Sequence, residues 1–123
     1  VYVQQHKLLE ELAEKSDCVI VGRCADYILR EKKPFRIFVY AAVENKLQRC
    51  MSHKPDGEQL SENELRKHIA GLDKKRAKYY EFFSDQKWGA RENYDLMVNT
   101  SGREIKQVSA AVADYLRTVG YAD

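Results

Sequence analysis

The chain has 123 residues, 44% of them hydrophobic and 33% charged, which indicates a globular domain or a part of one. Its formal net charge of +2 gives no overall polycationic character of the kind that holds nucleic acid, and no apolar run reaches the roughly 20 residues of a membrane-spanning helix. The three cysteines Cys18, Cys24 and Cys50 lack C-x-x-C spacing, which argues against a zinc site and favours a reducing, cytoplasmic compartment.

The first predicted elements are a helix and a buried strand. Apolar residues recur at helical spacing over roughly the first fifteen residues. Residues 18–22 then form an unbroken apolar run, typical of a strand buried on both faces of a parallel sheet. The run ends at Gly22-Arg23, which predicts Arg23 at the carboxyl edge of the sheet, where such folds bind ligands. A planar guanidinium suits phosphate, although an ordinary surface arginine is an equally good interpretation of Arg23 alone.

Helices and strands alternate through the middle of the chain. Residues 26–31 are predicted as a short helix, 35–41 as a second buried strand and 43–51 as a further helix. Turn-forming residues at 52–58 predict a loop.

The longest predicted helix contains a polar pair within its apolar stripe. Ser61 and Glu64 have the spacing of a capping box, and the helix extends from there to about residue 83. Asp73 and Arg76 lie among its apolar residues rather than on the opposite face. A simple helical ion pair stabilises by only about 0.2–0.5 kcal/mol, so this position slightly favours a functional role.

The end of the chain predicts one more strand and one more helix. The strand covers residues 94–99, and Ser101 and Glu104 repeat the capping-box spacing before a helix with apolar residues every three or four positions. This order of elements predicts an α/β fold with a parallel sheet and flanking helices.

Positively charged side chains accompany these elements in a way that suits phosphoryl transfer. Arg23 follows a strand, Lys46 and Arg49 share one helix face, and Arg76 lies on the long helix. Catalysis of phosphoryl transfer consists mostly of positioning and of charge stabilisation by Arg, Lys and Mg²⁺. The simpler interpretation, a solvated helix face, is preferred for the individual lysines Lys67, Lys74, Lys75 and Lys78.

The motifs, taken in order, resemble the cytidylate kinases, and most closely the cytidylate kinase-like branch of the P-loop nucleoside monophosphate kinases. Each motif is weak alone, but their order and spacing extend over almost the whole chain. They are Gly22-Arg23, residues 34–41, Glu44 with Lys46 and Arg49, Asp73 with Arg76, and residues 94–100.

This resemblance implies transfer of the γ-phosphoryl group of ATP, with Mg²⁺, to a nucleoside monophosphate similar to CMP. The residues it implies for catalysis are Arg76, Asp73 and Arg49. Those it implies for binding the acceptor are Gly22, Arg23, Cys24 and Lys46. Residues 52–92 would form a lid-like region within a single domain, 1–123.

The sequence also departs from the pattern of the family. Cys24 stands where typical members carry an aspartate, and Cys50 and Ile69 stand where they carry arginines, which puts CMP as the acceptor in doubt. No G-x-x-x-x-G-K-[ST] motif occurs, so the triphosphate cradle is missing. In the family this cradle follows a strand between those of residues 18–22 and 35–41.

We therefore expect these residues to form an incomplete P-loop NTPase fold without its N-terminal strand and P-loop. Such a fragment would be inactive alone and would expose strand edges that invite self-association. Two alternatives remain open at this stage. One is a non-catalytic nucleotide-binding or regulatory module on a kinase-like scaffold, and the other is a basic helical surface, 66–78, that binds an anionic partner such as RNA.

Overall fold

The computed structural model describes residues 2–22, 24–52 and 61–121, and these form a mixed α/β structure. The main elements are the helices α1 (Tyr2–Lys15), α2 (Ala25–Ile28), α3 (Val43–Ser52), α4 (Glu62–Ser84) and α5 (Ile105–Thr118), and the strands β1 (Ile37–Tyr40) and β2 (Leu96–Asn99). Short 3₁₀ turns cover Arg30–Lys32 and Arg91–Asn93. The predicted helices are confirmed, and two of the three predicted strands are present in shortened form. The predicted loop at 52–58 falls almost entirely outside the described residues.

β1 and β2 form a two-stranded parallel sheet, which confirms the predicted α/β class. The register pairs Ile37 with Leu96 and Tyr40 with Asn99. Helices α3 and α4 lie between the two strands in the sequence, as a parallel connection requires. Residues that follow the two strands therefore meet at one edge of the sheet, and residues that precede them meet at the other.

The predicted buried strand at residues 18–22 is wrong. Residues 17–21 have no regular structure, Cys18 is exposed, and the side chains of Val19 and Val21 are 95% and 88% exposed. A strand needs a neighbour that accepts and donates its backbone hydrogen bonds, and no strand in the described part of the chain lies beside this run. For the same reason β1 is not buried on both faces, since Val39 is 62% exposed.

In the described part of the chain, the core consists of two separate clusters joined by α4. The first packs Leu9 of α1 and Tyr80 of α4 against the segment around α2. The second joins Leu47 of α3 to Leu65 and Ile69 of α4. Helix α5 has no buried residue, although its apolar spacing predicts the helix correctly.

The two predicted capping boxes have different outcomes. Ser61 is the N-cap of α4 and accepts a hydrogen bond from the Glu64 backbone N–H at 3.2 Å, so this prediction is confirmed. The second is wrong, because the N-cap of α5 is Glu104, without a side-chain capping bond. The Ser101 hydroxyl instead accepts from the Ala42 backbone N–H at 2.7 Å, which links the segments that follow the two strands.

Each helix in residues 2–22, 24–52 and 61–121 is too short or too polar to cross a membrane.

Candidate active site

Three of the predicted site residues form an ionic cluster between α3 and α4. Lys46 of α3 donates to one carboxylate oxygen of Asp73, with Nζ and Oδ2 2.5 Å apart. Arg76, one turn further along α4, donates to the other oxygen at 2.7 Å. The pair of Asp73 and Arg76 was predictable from its helical spacing. The contact with Lys46 was not, because the two residues lie 27 positions apart in the sequence.

Asp73 is ionised in this cluster and neutralises only one of the two cations. Partial burial by itself raises its pKa, but the hydrogen bonds from Lys46 and Arg76 outweigh that effect, so the pKa of Asp73 lies below its usual value. The side chain of Arg76 is 61% exposed, whereas those of Asp73 and Lys46 are 25% and 30% exposed. The cluster therefore keeps one net positive charge, and its most accessible cation is Arg76.

Arg49 lies one turn after Lys46 on α3 and points to the carboxyl edge of the sheet. Its guanidinium donates to the backbone carbonyl of Thr100 at 3.3 Å, directly after β2. Thr100 is itself buried and held to β1, because its N–H and its hydroxyl both bond the Tyr40 carbonyl. Arg49 is thus attached to the rigid end of both strands, at the edge where open parallel sheets bind ligands.

A second ionic contact fastens α4 to α3. Arg66 forms a bidentate pair with Glu44, with N–O distances of 2.6 and 2.8 Å, and also contacts Glu62. The hydrogen bond from Arg66 keeps the pKa of Glu44 below its usual value, and the two glutamates raise the pKa of Arg66. The sequence predicts Arg66 as part of the basic helical surface, whereas in the structure it pairs with Glu44 and Glu62.

Ile69, which stands where typical cytidylate kinases carry an arginine, packs in the second core cluster and is 7% exposed. An arginine could not occupy that site without losing the apolar contacts to Leu47 and Leu65. Ile69 therefore contributes to the packing of α4 on α3 and adds no charge to the ionic cluster. Cys50 is exposed.

The predicted acceptor-binding residues at 22–24 are only partly described. Arg23 lies outside the described residues. Gly22 is exposed and has a φ of +73°, a left-handed conformation that favours glycine. Cys24 is 4% exposed, and its thiol points to the Tyr80 carbonyl, with Sγ and O 3.9 Å apart. The thiol therefore belongs to the core, while the assignment of residues 22–24 to substrate binding stays a prediction.

The donor set suits phosphate oxygens and not a metal ion. Lys46, Arg49 and Arg76 are hydrogen-bond donors only. In residues 2–22, 24–52 and 61–121 there is no group of three His, Cys, Asp or Glu side chains that could hold a metal ion. This part of the chain therefore offers cations for an anionic ligand.

A cavity of about 490 Å³ lies away from the ionic cluster, between β2 and α5. Its walls are mainly apolar, with Arg103 and Asn99 among the polar residues, and none of the predicted site residues that the structure describes lines it.

Comparison with known proteins assigns the chain to a family. The family described as cytidylate kinase-like matches residues 1–102, which include the ionic cluster and both strands and exclude α5. The chain belongs to the cytidylate kinase-like family. The resemblance predicted from the sequence is thereby confirmed. Membership of this family relates the protein to kinases.

A solved structure shares the fold. An uncharacterized protein from Eubacterium ventriosum superposes with a TM-score of 0.84 at 24% sequence identity, over 95% of this chain. The family member described here spans 65% of the length of that protein. Among curated proteins, none matches the chain.

Proposed function

We propose that the protein is a nucleoside monophosphate kinase, which moves the γ-phosphoryl group of ATP to an acceptor similar to CMP. The observation that carries this proposal is the cluster of Lys46, Asp73 and Arg76 between α3 and α4, in a chain of the cytidylate kinase-like family. Phosphoryl transfer requires cations placed around the transferred group, and the cluster offers one that is exposed and one that is partly buried.

In this proposal Arg76 stabilises the transferring phosphoryl group, and Asp73 orients the Arg76 guanidinium. Because Asp73 holds the Arg76 guanidinium at 2.7 Å, the cation is positioned before the substrate arrives. Arg49, which is attached to the carbonyl of Thr100, adds positive charge from the sheet edge. Lys46 binds the acceptor phosphate, whose oxygens replace the Asp73 carboxylate as hydrogen-bond acceptors.

The acceptor site would also include Gly22, Arg23 and Cys24. Cys24 contributes through its backbone, because its side chain is buried against Tyr80. A buried thiol cannot bind the nucleoside as an exposed carboxylate would, so Cys24 does not select the base through its side chain.

ATP and Mg²⁺ would be held through a P-loop that these 123 residues do not contain. Support for a further strand comes from residues 18–21, which are apolar and exposed and have no neighbouring strand within the described part of the chain. A strand beside them would pair with their backbone groups. We therefore propose that the chain forms part of a P-loop NTPase fold, with residues 52–92 as a lid-like region. The 123 residues alone would be inactive, and the intact enzyme would work in the cytoplasm.

The test is a panel of nucleoside monophosphates, assayed with ATP and Mg²⁺ on the full-length protein. We expect one pyrimidine monophosphate to be phosphorylated with the highest kcat/KM. In Arg76→Ala, kcat should fall by about 10²–10³-fold, the effect typical of losing one donor that stabilises transition-state charge. The acceptor KM should change much less.

Lys78→Ala is the matched control, because it removes one exposed positive charge from the same helix. Its kcat should stay within about twofold of wild type. Equal losses in the two variants, or a normal kcat in Arg76→Ala, would remove Arg76 from the mechanism.

A non-catalytic nucleotide-binding module is the second candidate, and one observation favours it. Two positions that are charged in typical cytidylate kinases, Cys24 and Ile69, are core residues here. Saturable binding of a monophosphate with no turnover for any acceptor would select this candidate. The RNA-binding alternative has less support because Arg66, the first residue of the basic surface, is paired with two glutamates.

A further inference from the structure

A second group of cations lies at the amino edge of the sheet, opposite the ionic cluster. A cavity of about 230 Å³ is lined there by Arg30, Lys33, Pro34, Arg36, Asp95 and Tyr121. Arg36 and Asp95 directly precede β1 and β2, whereas Thr100, which Arg49 contacts, follows β2. Four-residue strands at about 3.3 Å per residue separate the two edges by roughly 13 Å. This cavity, the amino-edge cavity, is therefore distinct from the candidate active site.

The base of the amino-edge cavity is built from an interstrand ion pair. The Asp95 carboxylate accepts from the Arg36 backbone N–H at 2.7 Å and from its guanidinium at 3.3 and 3.5 Å. Partial burial by itself raises the pKa of Asp95, but the bonds from Arg36 outweigh it and keep that pKa below its usual value. Asp95 is thus a fixed negative charge that neutralises one cation.

The walls of the cavity are also held in place. Arg30 lies over the Tyr27 ring, 4.0 Å from its centre, and donates to the Tyr27 carbonyl at 2.8 Å. The Tyr121 ring packs on Phe35 with a centroid distance of 4.9 Å. Lys33 adopts a left-handed φ of +53°, which is unfavourable for a residue with a side chain and directs the chain into Pro34.

The charges of the amino-edge cavity do not balance. Arg30, Lys33 and Arg36 give three positive charges against the single carboxylate of Asp95. Within the described residues, neither Arg30 nor Lys33 has a carboxylate partner. The excess of two positive charges matches a phosphate group, which carries about −1.5 to −2 at pH 7. Guanidinium groups also fit the oxygens of phosphate in a bidentate manner.

We propose that the amino-edge cavity binds a phosphate dianion, either free phosphate or the phosphate end of a small phosphorylated metabolite. The volume of about 230 Å³ admits a phosphate group together with part of the molecule that carries it, and the remainder of a larger ligand would extend into solvent. Arg30 and Lys33 provide the uncompensated charge, while Arg36 stays paired with Asp95 and shapes the base.

The test is an NMR titration of the full-length protein with inorganic phosphate, against sodium chloride of equal ionic strength. We expect saturable shifts of the backbone amides at Lys33, Arg36, Asp95 and Tyr121. In Arg30→Gln and in Lys33→Gln, the dissociation constant from these amides should rise about tenfold or more. Lys106→Gln, which removes an exposed charge from α5, should leave it unchanged.

A second titration with methyl phosphate distinguishes the two sources of the ligand. Equal affinity for the ester indicates a phosphorylated metabolite, and a clear preference for inorganic phosphate indicates the free ion. Shifts that are linear in concentration, that chloride reproduces, or that survive both Arg30→Gln and Lys33→Gln would overturn the proposal. Amides around Lys46 and Arg76 report separately on the candidate active site, so the outcome here does not depend on the proposed kinase activity.

Discussion

The Asp73 carboxylate connects two helices through its two oxygens, one bonded to Lys46 and the other to Arg76. Both cations favour its ionised form, so near neutral pH the cluster keeps a single net positive charge. In the proposed function, an incoming acceptor phosphate replaces Asp73 as the hydrogen-bond acceptor of Lys46 and brings negative charge to the cluster. At the scale of single residues, Asp73 thus holds both cations in position.

Cys24 illustrates the opposite case, a predicted substrate-binding residue whose side chain is buried in the core. Burial, and to a lesser degree the nearby Asp26, raises the pKa of its thiol to about 11. The thiolate is the reactive form of cysteine, and at pH 8 it is scarcely populated in a group with that pKa.

We therefore expect selective thiol labelling of the native protein at pH 8. Cys18 and Cys50 are exposed and should react with a chromogenic disulfide reagent, whereas Cys24 should react at least about a hundredfold more slowly. Cys24→Ser serves as the control, because it should leave the fast phase unchanged and remove the slow one. Fast modification of Cys24 in the folded protein would contradict its placement in the core.

At the scale of the elements, α4 is the helix that holds the structure together. Its first half packs Leu65 and Ile69 on α3, and its second half places Tyr80 in the cluster with α1 and α2. Gly71 lies between these two halves. A Cβ built on Gly71 meets nothing within 4 Å, so packing does not require glycine there.

Replacement of Gly71 by alanine should stabilise the protein by about 0.5–1 kcal/mol, because alanine loses less backbone entropy in a helix. Urea denaturation measures this change. The matched variant is Gly89→Ala, where φ is +82° and the new Cβ would lie 3.3 Å from the Phe38 ring. It should destabilise by about 1 kcal/mol or more. A destabilised Gly71→Ala would show that the middle of α4 depends on glycine.

Sequence prediction succeeds for elements that depend on residues close in the sequence, and it fails for elements and contacts that depend on distant residues. Helices α1, α3, α4 and α5 were predictable because hydrophobic spacing and the Ser61 cap act within a few residues. Residues 18–22 were misjudged because a strand depends on its neighbour as well as on its composition. The hydroxyl of Ser101 was predicted to cap α5, but it accepts a hydrogen bond from the backbone N–H of Ala42, 59 positions away.

The candidate site shows the same division between contacts within one helix and contacts between distant residues. The spacing of Asp73 and Arg76 on one helix was visible in the sequence, whereas the bond from Lys46 requires α3 and α4 to pack. The acidic partners of Arg66 also include one on another helix. Pairings of distant residues therefore had to come from the structure.

At the scale of the whole molecule, the sheet is the least protected part. Within residues 2–22, 24–52 and 61–121, β1 pairs only with β2, so its other edge has no partner strand. Val39 in β1 is 62% exposed, and Val19 and Val21 are almost fully exposed. Unpaired edges with exposed apolar side chains favour pairing with a second chain.

We predict that the 123-residue chain self-associates through this surface. Sedimentation velocity should show a weight-average mass that rises with concentration over the micromolar range. The variant Val39→Lys, in β1, should reduce the association about tenfold or more, because a charge on an edge strand opposes pairing with another chain. Val3→Lys alters a valine on α1 that is 66% exposed and should have little effect. If the chain stays monomeric at every concentration, or if Val3→Lys weakens association equally, the exposed strand surface does not mediate it.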